Sequence, residues 1–138
     1  MTQQYKLLDL SGDLAIKAYG GDLKSLFINA ASGLYAAMIE DSVIEESTHY
    51  NLSTQAENRE SLLVQWLNEL LFLFDAYSFV GRKFKLNLNG NSLEAVVTGG
   101  FFDPEIHERG LLIKAATYHN LSIKQTTSGY EAVVLLDL

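Results

Sequence analysis

The chain has 138 residues, 48% of them hydrophobic and 20% charged, with a single proline and no low-complexity run. That composition excludes a disordered or fibrous chain and predicts one core in a single domain spanning residues 1–138. No cysteine is present, so disulfides, thiolate zinc sites, iron-sulfur clusters and cysteine nucleophiles are excluded, and any metal must be held by oxygen or histidine. Ten basic against seventeen acidic residues give a formal charge of -7, which argues against a broad phosphate-binding face and so against tight nucleic-acid binding.

In chain order, Tyr5 to Leu8 and Leu14 to Tyr19 read as extended pieces around the small polar stretch Asp9-Leu10-Ser11-Gly12-Asp13, which favours a bend. Asp22 is a helix cap, and Leu23, Leu26, Phe27, Ala30, Leu34, Ala37 and Met38 recur at helical spacing. Val43 to Leu52 reads as a strand and Ser53 to Asn58 as a loop. Asn58 caps a second helix reaching Asp75, with Leu62, Trp66, Leu70 and Phe74 in one row and Leu63, Leu67 and Leu71 in the next. Phe79 to Leu88 and Ser92 to Gly99 flank Asn89-Gly90-Asn91, the chemistry of a tight hairpin turn. Beyond the polar connection from Asp103-Pro104 to Gly110, Leu111 to Tyr118 reads as extended, and Leu121 to Thr126 and Tyr130 to Leu136 form a closing hairpin around Ser128-Gly129. The expected fold class is α+β, with two amphipathic helices packed on a largely antiparallel sheet.

Several chemistries fail on their motifs. Gly20-Gly21 and Gly99-Gly100 lack the spacing and the lysine of a nucleotide cradle. His49, His107 and His119 are scattered, and no serine sits in a nucleophile elbow. No apolar stretch reaches the roughly 18 residues of a membrane span, and Met1-Thr2-Gln3-Gln4-Tyr5 lacks the features of a signal peptide; a soluble, cytoplasmic protein without membrane partners is expected. Trp66 reads as core, while Asn68 and Glu69 read either as partner contacts or as a solvated flank. At the C-terminus an apolar strand delivers Asp137 and the α-carboxylate of Leu138 together. Neighbouring carboxylates are costly unless a cation neutralises them, and hard divalent cations favour several oxygen ligands. Asp13, near another strand end, can complete such a set, with Asp9 in reserve.

Ile113-Lys114-Ala115-Ala116-Thr117-Tyr118-His119, Trp66-Leu67-Asn68-Glu69-Leu70 with Asp75, and the ending Val134-Leu135-Leu136-Asp137-Leu138 together resemble the archease family, whose first pattern reads Ile-Lys-Ala-Val-Thr-Tyr-His. Asp9-Leu10-Ser11-Gly12-Asp13 departs from the family's Asp-His-Thr-Ala-Asp by placing Leu10 where the histidine stands. The resemblance covers essentially the whole chain. It implies a protein cofactor, not an enzyme, that activates an RtcB-type RNA ligase in tRNA splicing or RNA repair by promoting ligase guanylylation. It also implies a divalent metal, calcium in the family, bound by Asp13, Asp137 and Leu138, the last through main-chain or terminal oxygen. The alternative reading is a metal-stabilised binding or chaperone-like module without a ligase.

Overall fold

The computed structural model describes residues 4–40 and 43–138; Met1 to Gln3 of the amino-terminal segment lie outside them. Strands β1 (Tyr5–Leu10) and β2 (Asp13–Gly20) form a hairpin, with Leu10 across from Asp13. Ser11 (φ 54°) and Gly12 (φ 93°) make the turn, so Asp9 and Leu10 belong to the strand rather than to the expected bend. Helix α1 (Leu23–Met38) follows, with the Asp22 carboxylate accepting from the Ser25 N–H at 2.8 Å. A two-residue strand β3 (Ile39–Glu40) leads to β4 (Thr48–Gln55). Helix α2 (Arg59–Tyr77) is capped by Asn58 and ends at Ser78, whose left-handed backbone (φ 60°) lets its N–H reach the last-turn carbonyls of Leu73 and Phe74.

The long hairpin of β5 (Phe79–Asn89) and β6 (Ser92–Phe101) turns at the expected Asn-Gly step. Short strands β7 (Glu108–Arg109) and β8 (Ala115–Ala116) precede the closing hairpin of β9 (Ser122–Thr126) and β10 (Gly129–Asp137). Every pairing is antiparallel. One sheet runs β1-β2-β10-β8, with β9 also on β10; a second runs β4-β6-β5; β3 and β7 form a small pair.

The α+β class expected from the sequence is therefore present, with the antiparallel pairing divided between two principal sheets and the helices lying between them. Each helix shows this in its contacts. On α1, Gly33 lies against Ile16 and Tyr5 of the first sheet, while Tyr35 stacks on Phe84 of the second, centroids 6.3 Å apart. On α2, Trp66 meets Phe84 edge-on at 6.0 Å, and Asn68 reaches Ala116 of the other sheet. Burial on two sides explains why the apolar surface of both helices is wider than a single stripe. Trp66 is fully buried, as expected, and its indole N–H donates to the Phe27 carbonyl at 2.9 Å.

Two further expectations are corrected. The strand read over Val43 to Leu52 begins at Thr48 and runs through Gln55, while Val43 is 90% exposed. Ser53 to Gln55 looked like loop because β4 alternates outward polar residues with inward ones. Of Leu111 to Tyr118 only Ala115–Ala116 is strand; upstream, the Gly110 and Leu111 N–H groups bond to the Met38 and Ala37 carbonyls that end α1. Among the described residues no helix is long and apolar enough to cross a membrane.

Candidate functional site

Strands β2 and β10 lie side by side in a register that pairs Leu14 with Leu136. Continued by one residue, that register sets Asp137 across from Asp13, so two aspartates distant in sequence end neighbouring strands on one face of the sheet. Both are exposed. The row is completed by Leu10, across from Asp13, and by Ala115, across from Asp137. Leu10 is 44% exposed, so the position where this chain departs from the archease pattern flanks Asp13 directly. Leu138, 48% exposed, follows Asp137.

Asp9 does different work. Its Oδ1 accepts from the Gly12 N–H at 3.0 Å, which holds the β1–β2 turn. It pairs with Leu14, so strand alternation puts its side chain on the opposite face from Asp13. It is not a reserve third donor for the pair.

Among the described residues no group of three or more His, Cys, Asp or Glu side chains is arranged to hold a metal ion. A cation here would rest on the two aspartates and on main-chain or terminal oxygen of Leu138. That set is all oxygen and fits a hard cation such as calcium or magnesium. Among the described residues neither aspartate carboxylate is in an ion pair or a hydrogen bond, so both keep their lone pairs for a ligand.

The segment from Ile113 to His119 is locked to this edge by its backbone. The Lys114 N–H donates to the Asp137 carbonyl at 2.8 Å, bringing exposed Lys114, a motif residue to which spacing assigned no role, next to the aspartate pair. Asn68 accepts from the Ala116 N–H at 2.8 Å and donates to its carbonyl at 3.1 Å. Asn68 is thus an anchor between α2 and β8, neither a partner contact nor a solvated flank. Thr117 binds the Leu135 carbonyl through both its N–H and its hydroxyl. Tyr118 and His119 are left exposed.

Elsewhere, two titration shifts arise from burial, which raises the Tyr35 phenol and lowers the Arg82 guanidinium. The hydrogen bond from Ser25 lowers the Asp22 carboxyl. Gly99 serves packing: a Cβ there would overlap the Val80 carbonyl, a close approach between β5 and β6 rather than a phosphate cradle.

The Archease protein family matches residues 5–138. A protein archease from Methanosarcina acetivorans is 33% identical over 99% of this chain and 97% of its own length. One from Saccharolobus solfataricus is 33% identical over 99% of each. The solution structure of Methanobacterium thermoautotrophicum protein 1598 superposes with a TM-score of 0.80 at 34% identity, covering 97% of this chain and 98% of that one. A Thermotoga maritima crystal structure, described as an archease and possible chaperone, shares the fold at a TM-score of 0.68 and 19% identity, with full coverage of both chains. On this whole-length match, the chain belongs to the archease family.

Proposed function

We propose that this archease is a protein cofactor of an RtcB-type RNA ligase in tRNA splicing or RNA repair, promoting guanylylation of the ligase in the cytoplasm. The observation that carries the reading is the pair Asp13 and Asp137 at adjacent strand ends, exposed and, among the described residues, in no ion pair. With main-chain or terminal oxygen of Leu138, they would hold a divalent cation, calcium in this reading. When bound, such an ion supplies positive charge that offsets phosphate charge.

The chain's own residues contribute holding and docking. Asp13 and Asp137 present oxygen donors at a sheet margin rather than in a closed pocket, which suits a site completed by a second protein. The -7 charge favours approach to a basic RNA-binding enzyme while giving little attraction for RNA itself. No step is catalysed by this chain alone.

The test is guanylylation of a cognate ligase with GTP, with and without this protein. Stimulation is expected from the parent and is expected to fall in Asp13→Ala and Asp137→Ala at unchanged circular dichroism. Leu10→His, which restores the usual family residue beside Asp13, is expected to increase it. If the ligase is never stimulated, the cofactor reading is wrong and the chaperone-like alternative takes its place. Calcium titration by calorimetry separately tests the metal: equal affinity in the parent and both alanine variants would remove the site.

A further inference from the structure

His107 takes no part in the aspartate pair, yet both of its ring nitrogens are engaged. It lies in the turn between β6 and β7, with Nδ1 2.8 Å from the backbone nitrogen of Asp103. Nε2 is 3.1 Å from the carbonyl oxygen of Val43, 64 residues away in the connection from β3 to β4. One imidazole therefore joins two loops.

These contacts place the ring proton. A backbone N–H can only donate, so Nδ1 is bare; a carbonyl can only accept, so the proton sits on Nε2. The bonded ring is neutral and in one tautomer. A second proton goes to Nδ1, where it meets the Asp103 N–H donor to donor, and an attraction becomes a repulsion.

Burial does not replace what is lost. The Val43 side chain is 90% exposed and Ile106 in the turn 75%, so neither draws its loop to the other. The ring rests on Phe102, centroids 5.7 Å apart, a contact on its own side of the joint. The charges around it are mainly negative: Asp103 and Glu105 in the turn, Glu108 on β7 and Asp75 on α2, with Glu45 following Val43 along the chain. Arg109 of β7 is held over the Phe74 ring at 4.9 Å. The carboxylates accommodate an imidazolium, so the turn can take up the proton while the joint is given up. The same turn walls a cleft of about 590 Å³, where Pro104, His107 and Arg109 line one side and Phe74, Asp75 and Ser78 of the α2 end the other.

We propose that His107 is a proton-operated latch: neutral, it clasps the β6–β7 turn to the β3–β4 connection, and protonated, it releases the turn and frees that wall of the cleft. A single charge change thus selects between two arrangements of the same two loops.

Proton–nitrogen NMR of the full chain tests this between about pH 8 and 5, the range in which histidines change charge. At the upper end the His107 ring is expected in the Nε2–H tautomer, with the Asp103 amide protected from exchange. As the pH falls, protection of Asp103, corrected for intrinsic exchange, is expected to drop at least about tenfold with the midpoint of the His107 ring itself. The Val43 and Ile44 amide signals are expected to move with that midpoint, while the Trp66 indole N–H, bonded to Phe27 in the core, stays. Two variants separate the halves of the latch. His107→Asn keeps an acceptor near the Nδ1 position and takes no charge, so Asp103 should stay protected at every pH while Val43 is released. His107→Phe keeps a ring against Phe102 and should release both at every pH. The proposal is overturned by an Nδ1–H tautomer at pH 8, by Asp103 protection that ignores the ring's charge, or by Val43 and Ile44 signals that titrate with the exposed His49 or His119 instead.

Discussion

Trp66→Ala should remove the largest fully buried side chain of the molecule. Its ring packs edge-on against Phe84 at 6.0 Å from the second sheet, and its N–H donates to Phe27 of α1, so one residue joins both helices to a sheet. Deleting a fully packed aromatic costs roughly 3–5 kcal/mol, the spread reflecting how far the cavity collapses. For a chain of this length that is a fall in melting temperature of about 10–20 °C. The hydrogen bond is the smaller part, because Phe27 lies inside α1, where its carbonyl also serves the helix ladder. Trp66→Phe, which keeps most of the packing and loses only the N–H, should therefore cost about 1 kcal/mol. Trp66 is the only tryptophan, so unfolding of the variants must be followed by circular dichroism in urea. A Trp66→Ala midpoint within error of the parent, or equal losses in the two variants, would refute the assignment of the ring to a packed junction.

Asn68→Ala strips both hydrogen bonds from Ala116 and should cost about 1–3 kcal/mol, with faster amide exchange at Ala116; unchanged exchange there would show that Asn68 does not hold β8. Asp22→Ala should cost about 1 kcal/mol at neutral pH through loss of the cap. The folded-state pKa of Asp22 is lowered, chiefly by the Ser25 N–H, so its contribution is present above the unfolded value of 3.8 and is lost as pH falls through the folded one. Urea midpoints of parent and variant should accordingly converge in acid and separate above about pH 4.

The helices and the β5–β6 hairpin were legible because each announces itself locally: Asp22 and Asn58 cap, leucines recur at helical spacing, and Asn89-Gly90 supplies the turn. The arrangement of the helices was not, since an apolar helix face does not state whether one sheet or two will cover it. β4 was displaced because its outward side chains are polar and read as loop, whereas the branched residues at Val43 and Ile44 read as strand. Ile44 is buried without any strand pairing, so its side chain reported burial rather than backbone state. Asn68 was ambiguous for a similar reason: an amide at the edge of an apolar face looks solvated until the chain that returns 48 residues later presents Ala116 to it. The proximity of Asp13 to Asp137 depends on strand order, which no local spacing encodes.

That strand order also separates two aspartates that look alike in Asp9-Leu10-Ser11-Gly12-Asp13. Asp9 uses one oxygen as an acceptor for Gly12 within a turn, a task that needs a lone pair but no charge. Asp13, opposite the position of Asp137, stands where like charges destabilise the sheet unless a cation intervenes. Replacement by asparagine distinguishes the roles, because the amide keeps a carbonyl acceptor and loses the charge. Asp9→Asn should preserve both the turn and calcium affinity, whereas Asp13→Asn should raise the melting temperature slightly in chelator by relieving repulsion and lose the stabilisation that added calcium gives the parent. That stabilisation grows with ligand excess, reaching about 2.7 kcal/mol at a hundredfold over the dissociation constant, well within the reach of a thermal melt. If Asp9→Asn abolishes the calcium response and Asp13→Asn leaves it intact, the assignment of the two aspartates is reversed and the face opposite Asp13 becomes the place to look for the cation.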